Sequence, residues 1–227
     1  MVGLRATKGV ILFLILSTTF FFTHSVSASD NIVKTLEATY KRVKDLQADF
    51  SQTTHYEGFD TVTRTQGTFF FKPGKIRWDY LPATPQQGGR PQQIFVDGDT
   101  VFYVMPEQHQ VIRGKWSEES ELPINLFFNT AHLQDHFQIS TSSQRLPPPS
   151  TQLLLLPKAQ NSPLKKITLT LIPAPDMAGM LIQAVFLLDK NGNTTSFSFE
   201  KIRINKGLSQ DIFTLKIHEG SEIIEMP

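Results

Sequence analysis

Residues Gly67 to Tyr80 read GTFFFKPGKIRWDY, a pattern that predicts two strands folded about a Pro73-Gly74 turn. Strand side chains alternate between faces, so Ile76, Trp78 and Tyr80 share one side and Lys75, Arg77 and Asp79 the other. Phe69, Phe70 and Phe71 are consecutive, so one face of the preceding strand receives two rings and its opposite face one. The pair therefore builds a greasy surface that the rest of the chain must cover. Periodicity leaves two readings open here, a solid sheet core and a ligand cavity, and it does not fix which way the Phe69 to Phe71 run faces.

Upstream, Met1 to Ala28 has the layout of an export signal. Arg5 and Lys8 form a basic start, Val10 to Phe22 is an apolar run, and Val26-Ser27-Ala28 offers small residues for cleavage before Ser29. Those 13 mainly apolar residues fall short of the roughly 20 that a spanning helix needs. The chain has no cysteine, so no disulfide framework supports it and burial alone must hold the exported part together. A remainder of about 200 residues suffices for one ordinary domain. With no cysteine at the cleavage junction to carry lipid, the chain is expected free in solution outside the inner membrane. Removal of Arg5 and Lys8 leaves 20 basic side chains against 21 acidic ones, close to neutrality. No basic stripe suited to nucleic acid stands out.

Beyond the signal, Asp30 is placed to cap a helix in which Ile32, Leu36, Tyr40, Val43 and Leu46 form one apolar stripe, with Lys34, Glu37, Lys41 and Lys44 left for water. From Ala48 the period changes to two. Ala48, Phe50 and Gln52 alternate with Asp49 and Ser51, and Thr61 to Thr68 has the composition of a solvated strand face. After the opening stretch, ATPQQGGRPQQ at Ala83 to Gln93 reads as a loop. Ile94 to Val96 and Val101 to Val104 form a second hairpin about Asp97-Gly98. His109 to Arg113 follows a turn at Met105 to Gln108. With no crossover helix between them, consecutive antiparallel pairing is the economical topology for these strands.

In SEESELPINLFFNTAHLQDHF the rhythm breaks. Pro123 suits a first helical position, and Ile124, Phe127 and Phe128 stand at i, i+3 and i+4. Leu126 and Leu133 add more apolar surface than one short packed helix needs, so the segment is a candidate hydrophobic cover. Strands resume after a proline-rich connector at Gln144 to Ser150: Leu153 to Leu156, Ile167 to Leu171, and Leu181 to Leu188. Asn191-Gly192 then turns the chain into Thr194 to Ile202, and Ile212 to Ile217 with Ile223-Ile224 close it.

Signatures of catalysis are missing. The chain carries no GxSxG elbow, phosphate-binding loop, dinucleotide fingerprint or HExxH. His132 and His136 share a helical spacing without a nearby third ligand, and Glu118, Glu119 and Glu121 read as a solvated run ahead of a helix.

With the export signal, DLQADFSQT at Asp45 to Thr53, the opening stretch, IFVDGDTVFYVMPEQHQV and NTTSFSFEKIRIN all in view, the chain resembles the outer-membrane lipoprotein carrier family, the LolA type, from Asp30 to Glu225. The resemblance implies a mainly β fold with a few helices, an incomplete antiparallel β-barrel covered by a helical lid, with lipoprotein acyl chains held between them. It implies a periplasmic, monomeric carrier without enzymatic activity, metal or cofactor. Such a carrier takes lipidated lipoproteins from an ATP-driven release complex of the inner membrane and passes them to a receptor lipoprotein of the outer membrane. Carried over residue by residue, the match assigns lipid contact to Ile76, Trp78 and Tyr80 on the sheet, with Phe50, Phe69 and Phe71 as further candidates, and to Ile124, Phe127 and Phe128 on the lid. The family pattern has Lys-Arg-Pro before this strand, its arginine latching the lid. Here the text is Phe71-Lys72-Pro73, so Lys72 is a gate candidate without the planar fork of arginine, and a plain surface lysine fits equally. A lipid-binding or envelope-sensing module on the same half-barrel is the alternative, and a secreted hydrolase would need a nucleophile that the text does not reveal.

Overall fold

The Gly67–Tyr80 stretch folds as a hairpin. Strands β2 (Val62–Lys72) and β3 (Lys75–Tyr80) pair antiparallel, with Phe69 opposite Trp78 and Lys72 opposite Lys75. Gly74 holds φ 78° at the turn, a conformation that costs glycine nothing and follows naturally after proline. The computed structural model describes residues 28–82, 91–115, 132–142 and 146–226. Around the hairpin it places helix α1 (Ala28–Tyr40), β1 (Leu46–His55), β4 (Gln92–Asp97), β5 (Thr100–Met105), β6 (Gln110–Lys115) and a short helix α2 (Leu133–His136). There follow β7 (Phe137–Thr141), β8 (Thr151–Pro157), β9 (Leu164–Pro173), β10 (Met180–Asp189), β11 (Thr194–Ile204) and β12 (Glu222–Glu225).

These strands form one 12-stranded sheet in the order β12-β6-β5-β4-β3-β2-β1-β11-β10-β9-β8-β7. The sheet is open, with β12 and β7 at its two edges. Consecutive antiparallel hairpins account for both halves, and β1 joins them by pairing with β11, Phe50 opposite Phe199. Antiparallel order fails at one edge, because β12 lies parallel to β6. The expectation for Ile212 to Ile217 as a closing strand is also corrected. A 3-10 turn occupies Gln210–Phe213, capped by the Ser209 side chain accepting from the Asp211 amide, and irregular chain follows.

One face of the sheet carries a continuous core from Val101 on β5, through Val96, Ile76, Trp78, Phe69, Phe50 and Phe199, to Leu169 and Leu155 on β9 and β8. Helix α1 packs on that face through Val33, Leu36 and Tyr40. The helix is shorter than its apolar periodicity predicts. It begins at Ala28, so Asp30 stands in its first turn instead of capping it, and it ends at Tyr40. Val43 and Leu46 are nevertheless buried in the same core, reached from the connecting turn and from β1. The hairpin turn placed at Asp97-Gly98 is likewise one residue later, since Asp97 pairs with Thr100 and Gly98, at φ 58°, opens the two-residue loop.

The opposite face has a second, smaller core. Phe95, Val104 and Val111 pack there with Phe102 and Leu215, so the C-terminal chain crosses behind the sheet. Arg77 anchors it. Its guanidinium donates to both Asp79 carboxylate oxygens from Nε, at 2.8 and 3.0 Å, and to the Ile212 carbonyl from Nη1 at 2.9 Å. The same group lies 5.3 Å from the Phe95 ring centre.

Two turns close the ends of α1 and β11 against each other. Asp45, 4% exposed, accepts from the amides of Lys206 and Gly207 at 2.9 and 3.0 Å. Its carbonyl accepts from Asn205, whose own side chain accepts from the Lys44 amide at 2.7 Å. Asp45→Ala leaves two amides without an acceptor and is expected to cost about 2–3 kcal/mol, measured as the shift of the urea midpoint. A midpoint unchanged from wild type would show that the clasp contributes nothing. Gly67 is a second test, because a Cβ there would stand 1.8 Å from the Asp79 carbonyl oxygen and 2.7 Å from the Phe50 ring. Gly67→Ala must push β2 and β3 apart, and a loss of about 3 kcal/mol is expected; a variant as stable as wild type would contradict this packing.

Candidate lipid-binding face

The pleat of β3 decides what the inner face presents. Ile76 is fully buried and Trp78 is 1% exposed, while Lys75, Arg77 and Asp79 turn to the other side. In an antiparallel pair, residues directly opposite share a face. Phe71 opposite Ile76 and Phe69 opposite Trp78 therefore point inward with them, and Phe70 pairs with Arg77 on the outside. This settles the facing that periodicity left open. Two rings of the run are in the core and the middle one is out.

Phe50, Phe69, Phe71, Ile76, Trp78 and Tyr80 thus come together on one face. The Trp78 indole lies 5.0 Å from Phe50, 4.8 Å from Phe69 and 5.4 Å from Phe197, ring centre to ring centre, and stacks on Tyr80 at 6.5 Å. Phe197 and Phe199 were not among the sequence candidates. Their alternation with serines was visible, but nothing local places β11 beside β1, about 150 residues away in the chain.

Among the described residues, polar atoms on the sheet's side of this face are few and uncharged. The Tyr80 hydroxyl donates to Gln52 Oε1 at 3.0 Å. Burial pushes it well above the ordinary phenol range, with Tyr103 nearby adding to the shift. Tyr40, whose oxygen accepts from the Ile182 amide at 3.3 Å, is pushed up by burial in the same way. Both stay neutral at any physiological pH. The Trp78 Nε1 is buried and, among the described residues, has no hydrogen-bond partner.

Helix α1 covers the face and is bonded to its surroundings at both ends. At its C-terminal end Thr39 Oγ1 accepts from the Met180 amide at 3.0 Å, Tyr40 accepts from Ile182, and Arg42 donates to the Ala178 carbonyl. At its N-terminal end Asp30 accepts from Gln134 in an exposed bond of 3.2 Å. The Thr39 bond is half-buried and the Tyr40 bond buried, while the Arg42 and Asp30 bonds are exposed to water, which competes for them.

Ile124, Phe127 and Phe128, the lid candidates, lie outside the described residues, as do the export signal up to residue 27 and most of the loop at Ala83 to Gln93. Lys72 follows Phe71 and so projects to the outer face, its Nζ 5.9 Å from the Phe213 ring centre. That is the face away from α1. His132 sets Nδ1 3.2 Å from Asp135 in an exposed pair, and among the described residues no three metal-binding side chains stand together.

The geometry describes an open sheet with its larger apolar core on the face that α1 covers, and comparisons with known proteins agree with that fold. An outer-membrane lipoprotein carrier protein of Dechloromonas aromatica is 26% identical over 212 residues, spanning 92% of this chain and 95% of that protein. A protein of the same name from Cupriavidus necator is 28% identical over 167 residues, 72% of each chain. Among solved structures, an uncharacterized conserved protein from Thermus thermophilus superposes with a TM-score of 0.55 at 8% identity, covering 86% of this chain and 98% of that one, a likeness of fold alone. The model of the family described as outer membrane lipoprotein carrier protein LolA matches residues 41–216. That span runs from the end of α1 through the whole inner-face hairpin and β11 to the chain behind the sheet, and the protein belongs to the LolA outer membrane lipoprotein carrier family.

Proposed function

We propose that this chain is a soluble periplasmic carrier, exported by the Met1 to Ala28 signal, that holds the acyl chains of lipoproteins against the inner face of its sheet. The observation that carries the reading is the ring-lined face of Phe50, Phe69, Phe71, Ile76 and Trp78, packed side to side and covered by helix α1. Family membership supports lipoprotein as the cargo.

The physical need for such a face follows from the cargo. Each buried methylene is worth about 0.8 kcal/mol, so one long acyl chain resists leaving a bilayer by roughly 10 kcal/mol or more. A carrier must offer a comparably apolar surface and then give it up. The inner-face side chains pack on one another, and in this reading that packing is the empty, closed form of the carrier. Loading then requires the cover to lift, and the exposed Asp30 to Gln134 bond is one that water can replace as it does. Ile124, Phe127 and Phe128 complete the cover in this reading. Lys72, over Phe213, serves the outer face and does not latch the cover. The donor is an ATP-driven release complex of the inner membrane and the acceptor a receptor lipoprotein of the outer membrane, with the carrier acting as a monomer and making no bonds of its own.

Two tryptophans occur in the chain, Trp78 and Trp116, so Trp116→Phe leaves Trp78 as the single reporter. A triacylated lipopeptide with bromine on its acyl chains should quench Trp78 fluorescence on binding. Binding without quenching would move the lipid away from this face. Ile76→Glu puts a charge among the acyl chains, and its affinity for the unbrominated lipopeptide should fall at least about tenfold. Ile223→Glu on the exposed edge strand should bind as wild type. Equal binding by all three proteins, each confirmed folded by circular dichroism, would exclude the inner face as the site.

A further inference from the structure

The Trp78 indole is 1% exposed, and among the described residues its Nε1 has no hydrogen-bond partner. Buried tryptophan N–H groups usually find an acceptor, because an unpaired one forfeits its hydration with no return. The neighbours here are rings, Phe50, Phe69, Phe197 and Tyr80, at 4.8 to 6.5 Å between centres, and a ring face is a poor acceptor beside a carbonyl oxygen. The hydroxyl on the same strand, that of Tyr80, donates to Gln52, and its oxygen does not accept from the indole. Phenylalanine would fill an aromatic box without this cost. The donor is therefore an expense of the empty state that an acceptor arriving with a ligand would remove.

Resting on the carrier reading, we infer that Trp78 Nε1–H is a binding group for the carbonyl oxygen of a fatty-acyl ester or amide. It sets how deep the chain slides along the inner face and distinguishes acyl lipid from plain hydrocarbon. The acceptor fits the surroundings in charge as well as in chemistry. Ester and amide carbonyls are neutral, and no ionised side chain occupies the inner side of β3, where Lys75, Arg77 and Asp79 all turn outward. A free fatty carboxylate would bring a negative charge into this face with no cation on the inner side of β3 to meet it, so esters and amides are preferred over fatty acids. The tail runs over Phe50, Phe69 and Ile76 while the carbonyl stays at the indole.

The test compares two lipids with the same tail and headgroup, 1-palmitoylglycerol and its ether analogue 1-O-hexadecylglycerol, which lacks the carbonyl. Wild-type protein should bind the ester about fivefold more tightly than the ether, as one net hydrogen bond predicts. Trp78→Phe leaves a smaller ring and lowers both affinities, so the ester-to-ether ratio is the readout, and it should fall to about one. In 15N-tryptophan-labelled Trp116→Phe protein, the single indole N–H proton resonance should move downfield with the ester and not with the ether. A ratio preserved in Trp78→Phe, or the same indole shift with both lipids, would overturn the inference and leave the carrier reading standing. If wild-type protein binds neither lipid, the carrier reading fails and this inference with it.

Discussion

Trp78 sits where the pleat of β3, the rings of β1 and β2, and the returning strand β11 converge, and its burial is the constraint on which the fold depends. Phe50, Phe69 and Phe197 reach it from three different strands within 4.8 to 5.4 Å. β1 lies between β2 and β11 in the sheet, and that order brings the three rings together on one face. Joining the two halves of the sheet at β1 is thus the same event as closing the aromatic box. Gly67 belongs to it too, since the Phe50 ring lies across the space that a larger residue would take.

A sheet with two cores divides its labour by face. The outer core of Phe95, Val104 and Val111 is fastened by a charge-assisted anchor, Arg77 to Asp79 and to the Ile212 carbonyl. Bonds of that kind are directional and strong for their exposure, which suits a part that stays put. The inner core is fastened mainly by apolar contact, which has no preferred partner and so favours no particular occupant. On the proposed carrier reading, the chemistry of each face matches whether it must hold or exchange.

Much of this was legible in the residue order. The Pro73-Gly74 hairpin, the inward set Ile76, Trp78 and Tyr80, and the solvated first half of β2 all follow from a period of two and from turn chemistry. Three features were not. The pairing of β1 with β11 is a long-range choice made by two faces that each need covering, and no local signal names the partner. Helix α1 stops at Tyr40 although apolar positions continue at Val43 and Leu46, because a turn and a strand can feed the same core as the helix stripe. The parallel contact of β12 with β6 depends on where the chain lands after crossing the outer face, which Arg77 helps to set. The proline-adjacent Lys72 was a gate candidate by position in the text, yet strand parity alone, one residue past inward Phe71, turns it outward.

The central claim is that the inner face holds acyl chains in exchange for its own packing. Native mass spectrometry of the protein released gently from the exported fraction of cells tests it most directly. The account predicts complexes whose added mass, on dissociation, resolves into triacylated lipoproteins at one per carrier. Protein recovered without cargo, or with a ligand that carries no fatty-acyl group, from cells that are making lipoproteins would contradict it.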